Sequence, residues 1–187
     1  GTIGVDSLSY TKTVLGNLSV QVNNEEANTF NAEVSLKKLN NNISVKGSYN
    51  TQQGAFNLLL QCEPLNLSIL QPFVAEQVNH LSGNMNAHIN LQGTIDTPKI
   101  NGTLRFDSAT ITSVLTGEPL FLKNETIRLN QQGIHFSQFT LLDSAKNKAV
   151  LNGDIFTRNF KQFFLNANLH TRNFRLINTA QATGQPF

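Results

Sequence analysis

The chain has no tryptophan, two tyrosines and a single cysteine in 187 residues. One thiol, Cys62, makes neither an internal disulfide nor a cysteine-rich zinc site. Its position beside Leu58-Leu59-Leu60-Gln61 marks it as a small buried hydrophobe. Charge is also scarce: 14% of residues are ionic and the net charge is +2. There is no dense basic stripe of the kind a nucleic-acid binder carries, so no nucleic-acid partner is expected. No apolar run approaches the roughly 20 residues of a membrane-spanning helix, and no stretch reads as a signal peptide. Gly1-Thr2-Ile3-Gly4 and Gly184-Gln185-Pro186-Phe187 read as the boundaries of an excised piece. A transmembrane β-barrel would carry girdles of Trp and Tyr; with 13 Phe against 2 Tyr and no Trp, this chain does not.

Polarity comes instead from Asn, Gln, Ser and Thr, which suit solvent-facing strand positions and tight turns. The stretch Leu81–Phe106 sets the pattern. Met85, Ala87, Ile89 and Leu91 alternate with Asn84, Asn86, His88, Asn90 and Gln92. After a turn, Ile100, Gly102, Leu104 and Phe106 alternate with Asn101, Thr103, Arg105 and Asp107. Period-two alternation places one apolar and one polar face on a sheet. The same alternation runs through Asn17–Asn23, Thr29–Lys38, Ile43–Tyr49, Ala55–Gln61, Ala109–Val114, Ile127–Leu129, Ile134–Leu142, Lys148–Phe156 and Phe163–Thr171. Asn23–Glu26, Asn40–Asn42, Asn50–Gly54, Thr116–Pro119 and Gln131–Gly133 are turn chemistry. Along Ile134–Leu142 the apolar phase slips at Ser137-Gln138, which a β-bulge or a tight turn would restore.

One segment departs from this rhythm. Leu67, Leu70, Val74, Val78 and Leu81 recur at helical spacing, and Pro72 is tolerated in a first turn. The spacing predicts a single amphipathic helix over about 69–80. An internal repeat is also visible. Ile43–Tyr49, Phe56–Leu60 and Leu65–Leu67 match Ala149–Ile155, Phe163–Ala167 and Phe174–Leu176, with Gly47 and Gly153 in register. Such repeats stack into elongated sheets. The fold expected is all-β: a curved, mostly antiparallel sheet with one short helix. The chain is read as one segment of a larger repetitive domain, with N-terminal strands over 1–42, hairpin repeats over 43–179 and a tail over 180–187.

No residues assemble into a catalytic constellation. His80, His88, His135 and His170 lack metal-type spacing and fall on polar phases or at the helix end. Asp107, Asp143 and Asp154 read as strand-end or turn residues. No enzyme activity, cofactor or metal is therefore expected. The basic residues Lys146, Lys148, Arg158, Lys161, Arg172 and Arg175 outnumber the one acid among them, Asp154; they read as a solvated face, or as a rim for phosphates or an acidic partner.

One helix cannot cover the apolar faces of about a dozen strands. Leaving them in water is costly, at roughly 1.5–3 kcal/mol for each Phe, Leu or Ile. Either the sheet folds on itself as a closed core, or it lines a groove that something else fills.

The stretch GNMNAHINLQGTIDTPKINGTL, Gly83 to Leu104, has a glycine, alternating apolar positions, Gly93-Thr94, Pro98 and a second glycine at 102. It resembles the C-terminal domain of the TamB family (translocation and assembly module subunit), within the AsmA-like superfamily. Leu65–Phe73 is similar to the short helix before that hairpin, and Asn173–Thr179 to a recurring strand-end segment. The resemblance covers about Ile43 to Thr179. It implies a sheet folded like a taco shell with an apolar interior. It also implies a periplasmic protein of a Gram-negative bacterium, anchored in the inner membrane, that carries phospholipid along its groove and supports outer-membrane biogenesis. The implied partner is an outer-membrane barrel of BamA/TamA type. A docking role, in which strand edges pair with that barrel, is the alternative. On this reading Phe30, Val34, Phe56, Leu58, Met85, Ile89, Leu91, Leu104, Phe106, Phe136, Leu151, Phe163 and Leu165 line the groove. Arg158, Lys161, Arg172 and Arg175 meet headgroups or the partner.

Overall fold

In the computed structural model, which describes residues 1–158 and 162–178, the alternation becomes one antiparallel sheet. Its strands are β1 (Thr2–Tyr10), β2 (Thr13–Glu26), β3 (Thr29–Lys38), β4 (Asn41–Asn50), β5 (Ala55–Asn66), β6 (Val78–Thr94), β7 (Pro98–Ser113), β8 (Pro119–Asn130), β9 (Gly133–Leu142), β10 (Lys148–Arg158) and β11 (Gln162–Thr171). Each strand pairs with its sequence neighbours, and β1 and β11 do not close the sheet. The chain is thus the all-β, curved antiparallel sheet that its alternation predicts, and the sheet is not closed.

Register puts the apolar residues on one face. Met85, Ala87, Ile89 and Leu91 of β6 stand opposite Phe106, Leu104, Gly102 and Ile100 of β7. Directly opposed residues share a face. Following the pairs outward gives continuous rows. One runs Leu36–Ile43–Cys62–Ala87–Leu104–Ile127–Phe136, and the next Val34–Val45–Leu60–Ile89–Gly102–Leu129–Ile134–Ile155–Leu165.

A 3-10 turn, Leu67–Leu70, runs into one α-helical turn, α1 (Gln71–Val74). Asn66 caps the 3-10 turn, accepting from the Ser68 amide at 3.0 Å and the Ser68 hydroxyl at 2.5 Å. This helical segment shows that the sheet curls. Phe73 stacks on Tyr10 of β1, with ring centroids 4.7 Å apart. Leu67 joins a buried cluster with Phe139 of β9. Eight strand spacings of about 4.8 Å would separate β1 from β9 in a flat sheet by about 38 Å. A segment this short spans about 12–16 Å. The sheet must therefore wrap around it.

Three expectations are corrected. The helix does not reach residue 80: after Ala75–Gln77 the chain re-enters the sheet, with Val78 opposite Ser113 and Leu81 opposite Ile111. An isolated helix of that length is marginal, and pairing with β7 offers its backbone better partners. The first of the N-terminal strands expected over 1–42 is β1, whose alternation is broken after Val5 by an irregularity where Ser7 has φ 55°. β2 runs through Asn23–Glu26 and turns at Ala27-Asn28 instead. Asp107 and Asp154 lie inside β7 and β10, not at strand ends.

The phase slip at Ser137-Gln138 is a bulge. Leu151 opposes Phe139 while Gly153 opposes Phe136, so β9 carries one extra residue there. Gln138 has φ 51°, and its amide donates to Asn152 Oδ1 at 2.7 Å. A companion bulge on β7 at Asp107 lets Ala109 and Phe106 share the apolar face. The repeat does not keep its register in three dimensions: Gly47 opposes Leu58 across β4–β5, whereas Gly153 opposes Ala167, the counterpart of Leu60, across β10–β11.

Candidate apolar groove

The curled face is filled at one end and open at the other. At the helical end, Ile69 packs with Cys62, Leu65 and Ala87, joined by Leu15, Ile43 and Leu60. Leu67 packs with Ala109, Leu122 and Phe139. Phe139 meets Phe136 and Phe106 edge-on, at centroid distances of 5.4 and 6.5 Å, a favoured aromatic geometry. Burial also pushes the Cys62 thiol pKa up, so the cysteine is the inert hydrophobe its setting suggested.

Beyond the Cys62–Ala87 row, burial fails. No residue of the Val34–Val45–Leu60–Ile89 row, nor of the Ala32–Gly47–Leu58–Leu91–Ile100 row, is buried. At the far edge Phe30 is 40% exposed, Phe163 60% and Leu165 73%.

The anticipated groove residues therefore divide. Met85, Leu104, Phe106, Phe136 and Leu151 pack against the closed core of the helical end. Val34, Phe56, Leu58, Ile89 and Leu91 lie half-buried in the open part, and Phe30, Phe163 and Leu165 stand exposed at its margin. Asn84 and His88 face solvent on the opposite side, and Asn86 and Asn90 are half-buried there. The basic set does not form one patch. Lys146, Lys148, Arg172 and Arg175 lie at the helical end, while Arg158 ends β10, about 34 Å from Lys148 at 3.4 Å per residue. Lys161 lies outside the described residues.

The burial of two acids was not legible in the sequence. Glu118 and Asp143 are wholly buried at the helical end. Glu118 accepts from the Ser144 amide at 3.1 Å and the Ser144 hydroxyl at 2.6 Å. Asp143 accepts from the Asn147 amide at 2.8 Å, the Asn147 side chain at 2.9 Å and the Arg175 amide at 2.9 Å. The Asn178 amide donates to the Thr116 carbonyl at 2.6 Å. The segment after β11 is thus strapped across the closed end. Asp143-Ser-Ala-Lys-Asn147 is ordinary turn sequence; what makes it structural is Arg175, 32 residues away.

Burial pushes the Asp143 pKa up, but the hydrogen bonds from Arg175, Asn147 and Ala145 outweigh it and hold the pKa below its ordinary value. A carboxyl lowered on folding contributes its full stability above the unfolded value of about 3.9. That contribution is lost as pH falls through the folded value. Acidification below about pH 4 is therefore expected to release the strap, read as faster exchange of the Arg175 amide. Asp143→Ala should show that faster exchange already at neutral pH. Equal protection in the variant would mean the carboxylate does not hold the strap.

Among the histidines, His80 bonds Ser82 at 2.9 Å and His88 contacts Gln61 at 3.4 Å. His135 pairs closely with Asp154 across β9–β10. These contacts are local to the polar face. No family model, no curated protein and no solved structure matches the chain.

Proposed function

We propose that this chain is a segment of a TamB-like bridge in the periplasm, holding phospholipid acyl chains in its apolar groove and so supporting outer-membrane biogenesis. The observation that carries the reading is the graded exposure of the concave face. Leu58, Ile89 and Leu91 are unfilled from within, and Leu165 stands in solvent. No charged side chain stands in the two open rows, so the occupant that suits them is hydrocarbon. Phospholipid as cargo, the inner-membrane anchor and the barrel partner rest on the Gly83–Leu104 resemblance. The helical segment leaves this cleft open at one end, so passage along a longer protein requires that segment to move aside. Organic extraction of the purified protein, followed by mass spectrometry, tests the reading. Co-purifying phospholipid is expected; a lipid-free protein that also takes up no fluorescent phospholipid overturns it.

A second reading, edge docking, is favoured by β11. It pairs with β10 through ten residues without a register shift. Its sequence QFFLNANLHT has no charge, proline or glycine, the devices that usually guard an edge. A strand added there gains main-chain hydrogen bonds. Leu165→Lys should leave stability within about 0.5 kcal/mol and weaken capture of a BamA/TamA-type barrel at least tenfold. Undiminished capture would exclude this edge.

A further inference from the structure

The sheet is interrupted between β8 and β9. The two strands pair at Phe121↔Leu142, and again from Ile127↔Phe136 to Asn130↔Gly133, in one register. Between those points, residues 122–126 and 137–141 are not paired. Asn124 and Gln138, one on each side of the break, have φ 56° and 51°. Gln138 turns both its amide and its side-chain nitrogen to Asn152 on β10, at 2.7 and 2.9 Å, away from β8.

On the outer wall beside this break lies a depression of about 490 Å³. That is within the usual size range of small-ligand sites. Ala109, Phe121, Leu122 and Leu142 contribute to its mainly apolar floor, and Lys123 and Lys146 stand at it. Two acids also line it, but both are engaged. Asp107 pairs with Arg105 at 3.0 Å and accepts from Asn86 at 2.8 Å. Asp143 accepts from Asn147 and Arg175. Lys123 and Lys146 are exposed, and neither ammonium has an ion-pair or hydrogen-bond partner among the described residues. A mainly apolar depression beside two unspent cations matches one chemistry: a hydrocarbon chain ending in an anion.

We propose that this depression binds a single-chain anionic amphiphile, with the chain laid along Phe121 and Leu142 and the head group between Lys123 and Lys146. Phe121 and Leu142 form the last β8–β9 pair before the break, so the chain lies against the break in the wall. The site is on the opposite face from the open groove and does not depend on it.

The test uses the whole chain and dodecanoate below its micelle concentration. Dodecanol supplies the same chain without charge, and inorganic phosphate supplies an anion without a chain. The readout is the rate of lysine acetylation. Dodecanoate is expected to protect Lys123 and Lys146 at least fivefold while leaving exposed Lys37 and Lys99 unchanged, and phosphate is expected to protect none. Lys123→Gln/Lys146→Gln should weaken dodecanoate binding at least tenfold by calorimetry and leave dodecanol binding unaltered. Leu91→Asp, a groove substitution, should leave the lysine protection intact. The proposal is overturned if all four lysines are protected alike, if phosphate alone protects, if the double variant binds dodecanoate as the parent does, or if Leu91→Asp abolishes protection. That last result would move the ligand to the groove; retained protection together with failed phospholipid uptake by the parent chain would instead count against the groove alone.

Discussion

Leu67→Ala is expected to destabilise the chain by about 2–5 kcal/mol, the cost of removing a buried leucine from a site that cannot collapse. Leu67 is 3% exposed and sits where the helical segment enters the curl. It shares a cluster with Ala109, Leu122 and Phe139, from three successive strands. Ala109 and Leu122 are held opposite each other by the β7–β8 ladder and Phe139 opposite Leu151 by the β9–β10 ladder, so they do not readily close on the space the leucine would leave. The same side chain, with Ile69, fastens the segment that fills one end of the concavity. For a chain of 187 residues the loss corresponds to a fall in Tm of about 4–20 °C. Urea unfolding of the variant checks it; a cost under about 1 kcal/mol would mean the helical segment does not organise the closed end.

Gly83→Ala should cost about as much, through the backbone. Gly83 has φ 105°, which an L side chain rarely adopts, and such strain costs about 1–3 kcal/mol. A Cβ there would run into the Ser108 carbonyl oxygen and lie 2.7 Å from Ala109 Cα. Both obstacles are main chain of β7 and have no rotamer to yield, so relief needs a strand displacement of about 1–3 kcal/mol more. The sum, about 2–6 kcal/mol, should appear as a lower urea midpoint and poor soluble yield. Gly4→Ala is the control, because nothing lies within 4 Å of a Cβ there, and it should change stability by less than about 0.5 kcal/mol. Equal behaviour of the two variants would mean β6 and β7 are not as closely apposed at Gly83 as the register implies.

How much of this was readable from the chain depended on how local the cause was. The β6–β7 hairpin follows from alternation because each residue's face is set by its immediate parity. The Ser137-Gln138 bulge was readable for the same reason: a phase slip between Phe136 and Phe139 has to be absorbed somewhere. The helix end was not. Val78 and Leu81 fit the helical period as well as the strand period, and the choice was made by β7, whose Ile111 and Ser113 needed partners. Strands were expected over 1–42, but the bounds of β1 could not be read, since its alternation breaks after Val5. Among the groove residues, alternation placed Leu91 and Phe106 on one face but could not say which is packed and which is left open. That division is made by Leu67 and Ile69 arriving from one end. Asp143 read rightly as turn chemistry, since its carboxylate accepts from Asn147; its second partner, Arg175, was hidden because it is distant in sequence.

The central claim is that the far half of the concave face is an open groove for acyl chains. Leu91 and Gln92 test it from adjacent positions: Leu91 lies in an open row of the groove, and Gln92 is exposed on the other face. Titration of the parent chain with a fluorescent phospholipid should give saturable binding with a blue shift. Leu91→Asp should weaken it at least tenfold, and Gln92→Asp should leave it unchanged. Equal binding by all three proteins, or no binding by the parent, would contradict the groove.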